Sequence, residues 1–249
     1  MARADKQDRP ATTGVLVIDK PPGRSSMSAV AEVRRKAGGV KTGHAGTLDP
    51  LATGVLVVAL GRATKIIDRL MATDKRYQTV IDLSAFTTTD DTEGEREEIA
   101  IATPPDETDI RAALERFTGT FEQRPPAFSA MKVGGRRAYK LARKGEQPKI
   151  PARPVTMHAL ALVSYDWPRL ELDLHCGKGL YVRSLARDLG AVLGTGGHCL
   201  TIRRTAVGPF TLEMAVELDD LPTPLTDHHL IAIADALALI DAQPRQFTI

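Results

Sequence analysis

Apolar residues along this chain gather in short runs of two kinds. The stretch "GVLVIDKPPGRSS" (14–26) opens as a short strand and then turns at Pro-Pro-Gly, and "TGVLVVAL" (53–60) is nearly continuous, as in a buried strand. The stretch "SMSAVAEVRRKAG" (26–38) instead spaces Met27, Val30, Val33 and Ala37 along one helical face, with Ser26 or Ser28 as its start and Gly38 as its stop. Residues 41–52 read as a loop, and a helix is predicted over 62–73 after Gly61. Over 75–84 the period is two, which puts Tyr77, Thr79, Ile81 and Leu83 on one face of a strand. An acidic, turn-rich stretch (87–109) runs into a capped amphipathic helix predicted over 108–119, with Gly119 as its stop. "VTMHALALVSYD" and "RLELDLHCG" form a predicted hairpin. A helix over 181–194 with Val182, Leu185, Leu189 and Leu193 inward, a strand region at 198–212 and a helix over 227–240 follow. Strands and helices mix without strict alternation, so an α+β fold is expected rather than a doubly wound sheet.

Length and composition narrow the picture. With 249 residues, 43% of them hydrophobic, the chain can bury a sizeable core in one large domain or two small ones. No apolar run approaches the roughly 20 residues that span a bilayer. The polar start "MARADKQDRPATT" has no apolar centre and is not a secretory signal; residues 1–13 are expected to be a disordered tail. Cys176 and Cys199 have no metal-ligand spacing and read as small core residues in a reducing, cytoplasmic setting. The net charge of +2 hides a strong asymmetry. Residues 124–153 carry nine Lys or Arg against one acid, Glu146, and the remainder of the chain is net acidic. Such a cluster fits a phosphate-rich partner, or a solvated surface helix.

One stretch singles out a chemical group. In "KTGHAGTLDPLATGVLVVAL" (41–60) a lone carboxylate, Asp49, sits among small and turn-forming residues ahead of a strand, with His44 upstream and Pro50 directly after it. Pro50 biases Asp49 toward extended backbone. From the pattern alone, Asp49 reads as an Asx-turn acid at least as readily as a reactive one. Tyr77 likewise reads as a sheet tyrosine and Arg183 as a surface helix arginine.

Several stretches together resemble one family. "GHAGTLDPLATGVLVVALGRATK" is similar to the signature loop of the TruB-type tRNA pseudouridine synthases, and "IDKPPGRSS" to their amino-terminal motif. "KRYQTVIDL" with "TTTDDTEG", "QRPPAFSAMKVGGRRAYKLARKGE", "CGKGLYVRSLARDLG" and "LTIRRTAVGPF" resemble further motifs, in the same order over residues 14–218. The resemblance implies a mixed, mainly antiparallel sheet flanked by helices, with a basic thumb insertion at 124–153 in a catalytic domain of residues 14–249. It implies that the T-loop uridine of tRNA is isomerised to pseudouridine after base flipping, without metal or organic cofactor. A cytoplasmic monomer with no membrane contact is expected, its partner the T-arm of tRNA. The family's PUA-like carboxy-terminal domain is expected to be absent, because only about thirty residues follow Leu218.

Residue by residue, the resemblance makes Asp49 the nucleophile, Arg183 its cationic partner, and Tyr77 and Tyr181 the aromatic residues that meet the base. Ile202 becomes an apolar wall, and His44 a ring that takes the place of the flipped base. Lys20 and Lys65 fall on the substrate side, Lys20 more as a buttress of the Asp49 loop than as an RNA contact. Asp91 is a candidate to position Arg183. Arg124, Lys132, Arg136, Arg137, Lys140, Arg143 and Lys144 form the RNA grip, with Phe128 and Tyr139 interleaved. The sequence departs from the family at Phe128 (usually Tyr), Leu180 (usually Thr) and Ser84 (commonly Gly). Two other readings compete: an RNA-binding or tRNA-folding module, which would not need Asp49, and a guide-RNA-dependent relative within a larger particle. If the basic segment grips RNA, neutralising Arg136, Arg137 and Lys140 weakens tRNA binding. The log–log salt slope then flattens by about 0.9 for each phosphate that is no longer neutralised. Titrations at several salt concentrations check this.

Overall fold

The computed structural model describes residues 12–129, 131–133, 135–138, 141 and 150–243. Tyr139, Lys140, Arg143, Lys144 and most of the expected tail lie outside the described residues. The chain divides into two compact units: one takes in residues up to Thr73 and from Thr205 onward, the other runs from Asp74 to Arg204. The chain first passes through β1 (Gly14–Lys20), α1 (Ser26–Lys36), β2 (Thr42–His44), β3 (Thr53–Leu60) and α2 (Ile67–Ala72). Next come β4 (Lys75–Asp82), β5 (Ala85–Thr87), β6 (Arg96–Glu98), α3 (Glu107–Glu115), β7 (Gly119–Gln123), β8 (Lys132–Val133) and β9 (Arg136–Arg137). It continues with β10 (Arg153–Asp166), β11 (Arg169–Cys176), α4 (Val182–Leu193) and β12 (His198–Val207). The last elements are β13 (Phe210–Thr211), β14 (Val216–Glu217) and α5 (Ile233–Asp241).

In the first unit β1 pairs antiparallel with β3 along its whole length, from Gly14↔Leu60 to Lys20↔Gly54, and β14 lies parallel to β1. Val15, Val17, Val55, Val57 and Ala59 bury one face with Leu70 of α2, Phe210 of β13 and Ala236 of α5. The strands expected at the start of 14–26 and over 53–60 are therefore present, and their apolar runs reflect burial on both faces.

Three local expectations in this unit need correction. The cap of α1 is Ser25, whose hydroxyl accepts the Ser28 N–H at 3.1 Å. Ser26 is buried and its hydroxyl serves Leu48 instead, while Met27 faces solvent at 65% exposure. His44 lies in a short strand and not a loop, because β2 pairs with β3 through Thr42↔Leu60 and His44↔Val58. The helix expected over 227–240 is broken. A 3-10 turn (Asp227–His229) is followed by Ile231, which exchanges both backbone bonds with Val15 at 2.8 Å, and only then does α5 begin.

In the second unit β4, β11, β10 and β7 form an antiparallel succession. Thr79 and Ile81 are buried opposite Leu172 and Leu170. Ile110 and Leu114 of α3, and Val182, Leu185 and Leu189 of α4, are buried over this layer, whereas Leu193 is only partly covered. Helix α3 is shorter than predicted. Asp106 caps it in a reciprocal box with Asp109, and Gly119, at φ +81°, opens β7 instead of stopping the helix. The acidic stretch holds the β5–β6 hairpin, and within the basic segment β8 and β9 form a hairpin of their own. The departure at Ser84 is put to use: its N–H and hydroxyl both donate to Asp82, at 2.8 and 2.6 Å, and the hydroxyl accepts from Arg96.

Helix α4 lies against the loop that follows it with no room for a side chain. A Cβ on Gly190 would stand 2.1 Å from the Gly196 carbonyl oxygen and 2.8 Å from the Gly197 nitrogen. Alanine gains up to about 1 kcal/mol of helix propensity over glycine. A backbone clash cannot be relieved by rotating a side chain, and overpacking costs about 1–3 kcal/mol. Gly190→Ala is therefore expected to be net destabilising, seen as a lower urea midpoint at unchanged slope.

Candidate active site

The first unit holds the Asp49 loop from both sides of the carboxylate. Leu48 is buried, and Ser26 takes both its backbone groups, accepting its N–H at 2.7 Å and donating to its carbonyl at 2.8 Å. Pro50 follows, and its carbonyl accepts the Gly23 N–H at 2.9 Å and Lys20 Nζ at 3.3 Å. Lys20 is fully buried, and its ammonium also donates to the carbonyls of Pro21 at 2.8 Å and Arg24 at 2.6 Å. A buried ammonium is tolerable only when its protons are shared with such acceptors. Lys20 thus clamps the loop from beneath through backbone carbonyls. The Asp49 carbonyl closes a turn with the Ala52 N–H at 3.1 Å. Gly46 and Gly54, at φ +104° and +98°, occupy backbone conformations that side chains disfavour. Asp49 itself is half-buried, His44 is half-buried on β2, and Lys65 is exposed on a 3-10 turn.

The second unit gathers the aromatic and cationic residues. Tyr77 stands half-buried on β4 opposite Leu174 of β11. Tyr181 is the N-cap of α4 and Arg183 lies in its first turn. Arg183 is 4% exposed. It donates to the carbonyls of Thr89 at 2.8 Å and Phe128 at 3.0 Å, and it approaches Asp91 at 3.3 Å. Asp91 is buried and also accepts the Glu93 N–H at 3.0 Å. The structure therefore brings Arg183 and Asp91 together, and Phe128 contributes through its backbone. Ile202 is buried on β12. Of the basic residues, Arg124 and Arg136 are exposed, and Lys132 and Arg137 belong to the β8–β9 hairpin.

Other charged groups were not foreseen. Asp90, at φ +62°, pairs with Arg187 at 2.8 Å, yet burial pushes its carboxyl up to about 6 against the pull of Arg187 and Arg183. Burial and the charge of Arg204 lower Lys75 to about 8. Both cysteines are buried, and desolvation pushes each thiol up to about 12, which suits inert core residues. No local pattern signals these groups, since each depends on what packs over it.

The chain belongs to the TruB family of pseudouridylate synthases. Residues 34–182 match the family described as "TruB family pseudouridylate synthase (N terminal domain)", and residues 183–237 match "tRNA pseudouridylate synthase B C-terminal domain". It is 46% identical over 233 residues to tRNA pseudouridine synthase B of Thermobifida fusca (strain YX), covering 90% of this chain and 78% of that protein. To the protein of the same name from Chelativorans sp. (strain BNC1) it is 47% identical, covering 91% of this chain and 73% of the other. Among solved structures it resembles a Cbf5–Nop10–Gar1 complex, with TM-score 0.66 and 30% identity over 84% of this chain and 53% of that one. It also resembles an archaeal box H/ACA sRNP Nop10–Cbf5 complex, with TM-score 0.63 and 29% identity over 85% of this chain and 55% of that one. The chain thus spans about half the length of those two structures. The mixed, mainly antiparallel sheet flanked by helices is the pseudouridine synthase fold. No described helix is long and apolar enough to cross a membrane.

Asp90 gives this site a testable pH dependence. Its folded-state value, about 6, lies above the ordinary 3.8. Between those values the folded chain holds a proton that the unfolded chain has released. The contribution of Asp90 to stability therefore rises as pH falls through that window. Asp90→Asn keeps a residue that tolerates positive φ and removes the titration. Wild type should gain roughly 1–3 kcal/mol on this variant between pH 7 and pH 4, read from urea unfolding of both.

Proposed function

We propose that this chain isomerises a uridine in the T-loop of tRNA to pseudouridine, with Asp49 as the reacting carboxylate. The observation that carries the reading is the construction of the Asp49 loop. Its neighbours Leu48 and Pro50 are held by two buried side chains, Ser26 and Lys20, in a chain of the pseudouridylate synthase family. A loop tied down on both sides of one carboxylate suits a group that must meet a substrate in a single geometry. The relatives' name, tRNA pseudouridine synthase B, supports tRNA as the substrate.

The reaction balances within the nucleotide. The N1–C1′ bond breaks, the uracil turns, and a C5–C1′ bond forms. The proton lost from C5 is matched by one gained at N1, with no net oxidation. Asp49 engages the uridine while the first bond is broken. Tyr77 and Tyr181 offer aromatic faces to the extruded base, Ile202 an apolar surface, and Arg183 positive charge. His44 stacks where the base has left, at the cost of a few kcal/mol for unstacking it. Lys20 acts through the loop, Lys65 is placed to meet RNA, and the basic segment at 124–153 grips phosphates. The 42–47% identity to tRNA pseudouridine synthases favours action on free tRNA over action within a guide-RNA particle.

Incubation with an unmodified tRNA transcript, followed by chemical mapping of pseudouridine, tests the reading directly. Asp49→Asn keeps the shape and removes the charge. It should reduce product formation by more than about 1,000-fold while tRNA binding stays close to wild type. Substantial product from this variant would overturn the assignment of Asp49.

A further inference from the structure

Gln123 stands at the start of a family-like stretch without any assigned role, yet it is 1% exposed and directs both ends of its amide to one residue. Its Oε1 accepts the Tyr181 N–H at 2.8 Å, and its Nε2 donates to the Tyr181 carbonyl at 3.1 Å. That carbonyl also accepts the Leu185 N–H at 3.1 Å, the first bond of α4. Tyr181 is extended, at φ −109° and ψ 116°, and no side chain caps the helix in the usual way. The Gln123 amide therefore pairs with Tyr181 as the peptide of a neighbouring strand would. Directly opposite Gln123 in the β7–β10 register is Arg153. Its guanidinium carbon lies 5.5 Å from the centre of the Tyr181 ring, within cation–π range, and its Nη2 donates to the Gly179 carbonyl at 2.7 Å. One cross-strand pair thus holds Tyr181 twice, by its backbone and by its ring. The next carbonyl along the chain, that of Arg124, accepts from Ser184 and Arg187, each at 2.9 Å. The first turns of α4, with Arg183 among them, are stitched to the end of β7.

We infer that Gln123 and Arg153 are positioning residues that set the place of Tyr181 and, through the start of α4, of Arg183; the inference rests on the reading of Tyr181 as a residue that meets the uridine. Losing both amide bonds frees the N-cap to shift, and a displacement of about 1 Å at a reacting geometry can cost about 100-fold in rate. Gln123 lies outside the basic segment, and the Arg153 guanidinium, although at the end of that segment, is engaged with the Tyr181 ring and the Gly179 carbonyl, so the effect belongs in kcat and not in tRNA affinity.

The test uses the full chain and an unmodified tRNA transcript, with kcat, KM, tRNA Kd and a thermal melt for each variant. Gln123→Met keeps length and volume without hydrogen bonds, Arg153→Met removes the guanidinium from the Tyr181 ring, and Tyr181→Leu is the reference. The inference expects kcat to fall roughly 10- to 100-fold in Gln123→Met and Arg153→Met with Kd unchanged, and Tyr181→Leu to fall as well. Gln123→Glu adds a signature that a merely structural role would not show. Ionised, it repels the Tyr181 carbonyl; protonated, it can donate to that carbonyl again. Its kcat relative to wild type should therefore recover as pH is lowered from about 8 to about 6. If Tyr181→Leu loses activity while Gln123→Met and Arg153→Met keep wild-type kcat, the positioning role is overturned and the reading of Tyr181 stands. Wild-type kcat in Tyr181→Leu overturns both. Should Gln123→Met unfold at the assay temperature, Arg153→Met decides: weaker tRNA affinity at unchanged kcat marks an RNA contact and overturns the inference.

Discussion

Arg183 is a cation almost wholly removed from water, and much of the second unit is arranged so that this is tolerable. A buried guanidinium needs several acceptors at once. Here they include the Thr89 carbonyl and the Asp91 carboxylate, both from the acidic turn, and the Phe128 carbonyl from the chain beyond β7. Each acceptor constrains the segment that supplies it. The acidic turn must close so that Thr89 and Asp91 face the helix, which Asp90 accommodates at positive φ. The chain beyond β7 must run past the start of α4, which Gln123 and Arg124 secure by bonding Tyr181, Ser184 and Arg187. Helix α4 must in turn sit close to the loop behind it, which Gly190 and Gly197 permit.

The first unit meets a similar demand in a different way. Its buried cation, Lys20, donates to the backbone carbonyls of Pro21, Arg24 and Pro50, so the charge organises a loop. Ser26, taken out of the capping role, fixes Leu48. A short run rich in glycine, threonine and proline is thereby held by side chains that bond to its backbone. That division of labour explains why the stretch around Asp49 contains so few charged or bulky residues: the rigidity is supplied from β1 and α1.

Family resemblance and structure inform different parts of the site. Resemblance singled out Asp49, Tyr77, Tyr181 and Arg183, residues whose local patterns fit an Asx-turn acid, packing tyrosines or a surface arginine equally well. Burial of Arg183 removes the surface reading for that residue. Ile202 is as buried as an ordinary core residue, so its position alone does not separate the two roles. Gln123 has no assigned role in the sequence, Ser26 reads there only as a helix start and Arg153 only as one of the basic residues of 124–153, because nothing next to them in the chain shows the distant partners they bond.

Strands β1, β3, β4, β10 and β11 and most of helices α1, α3 and α4 were determined by the sequence alone, since burial periodicity is a property of consecutive residues. The same holds for the charge of the 124–153 segment and for the isolation of Asp49 among turn-forming residues. Only the tertiary structure decided where helices begin and end. Ser26 is drawn to Leu48, 22 residues on, and Ile231 is drawn to Val15. Only the tertiary structure, too, assigned partners to the buried polar groups, with Lys20 reaching Pro50 across 30 residues and Gln123 reaching Tyr181 across 58. The physical reason is common to all of these. A hydrophobic pattern requires only that a face be covered, whereas a buried donor requires a particular acceptor at hydrogen-bond distance, and which residue supplies it is settled when distant segments pack.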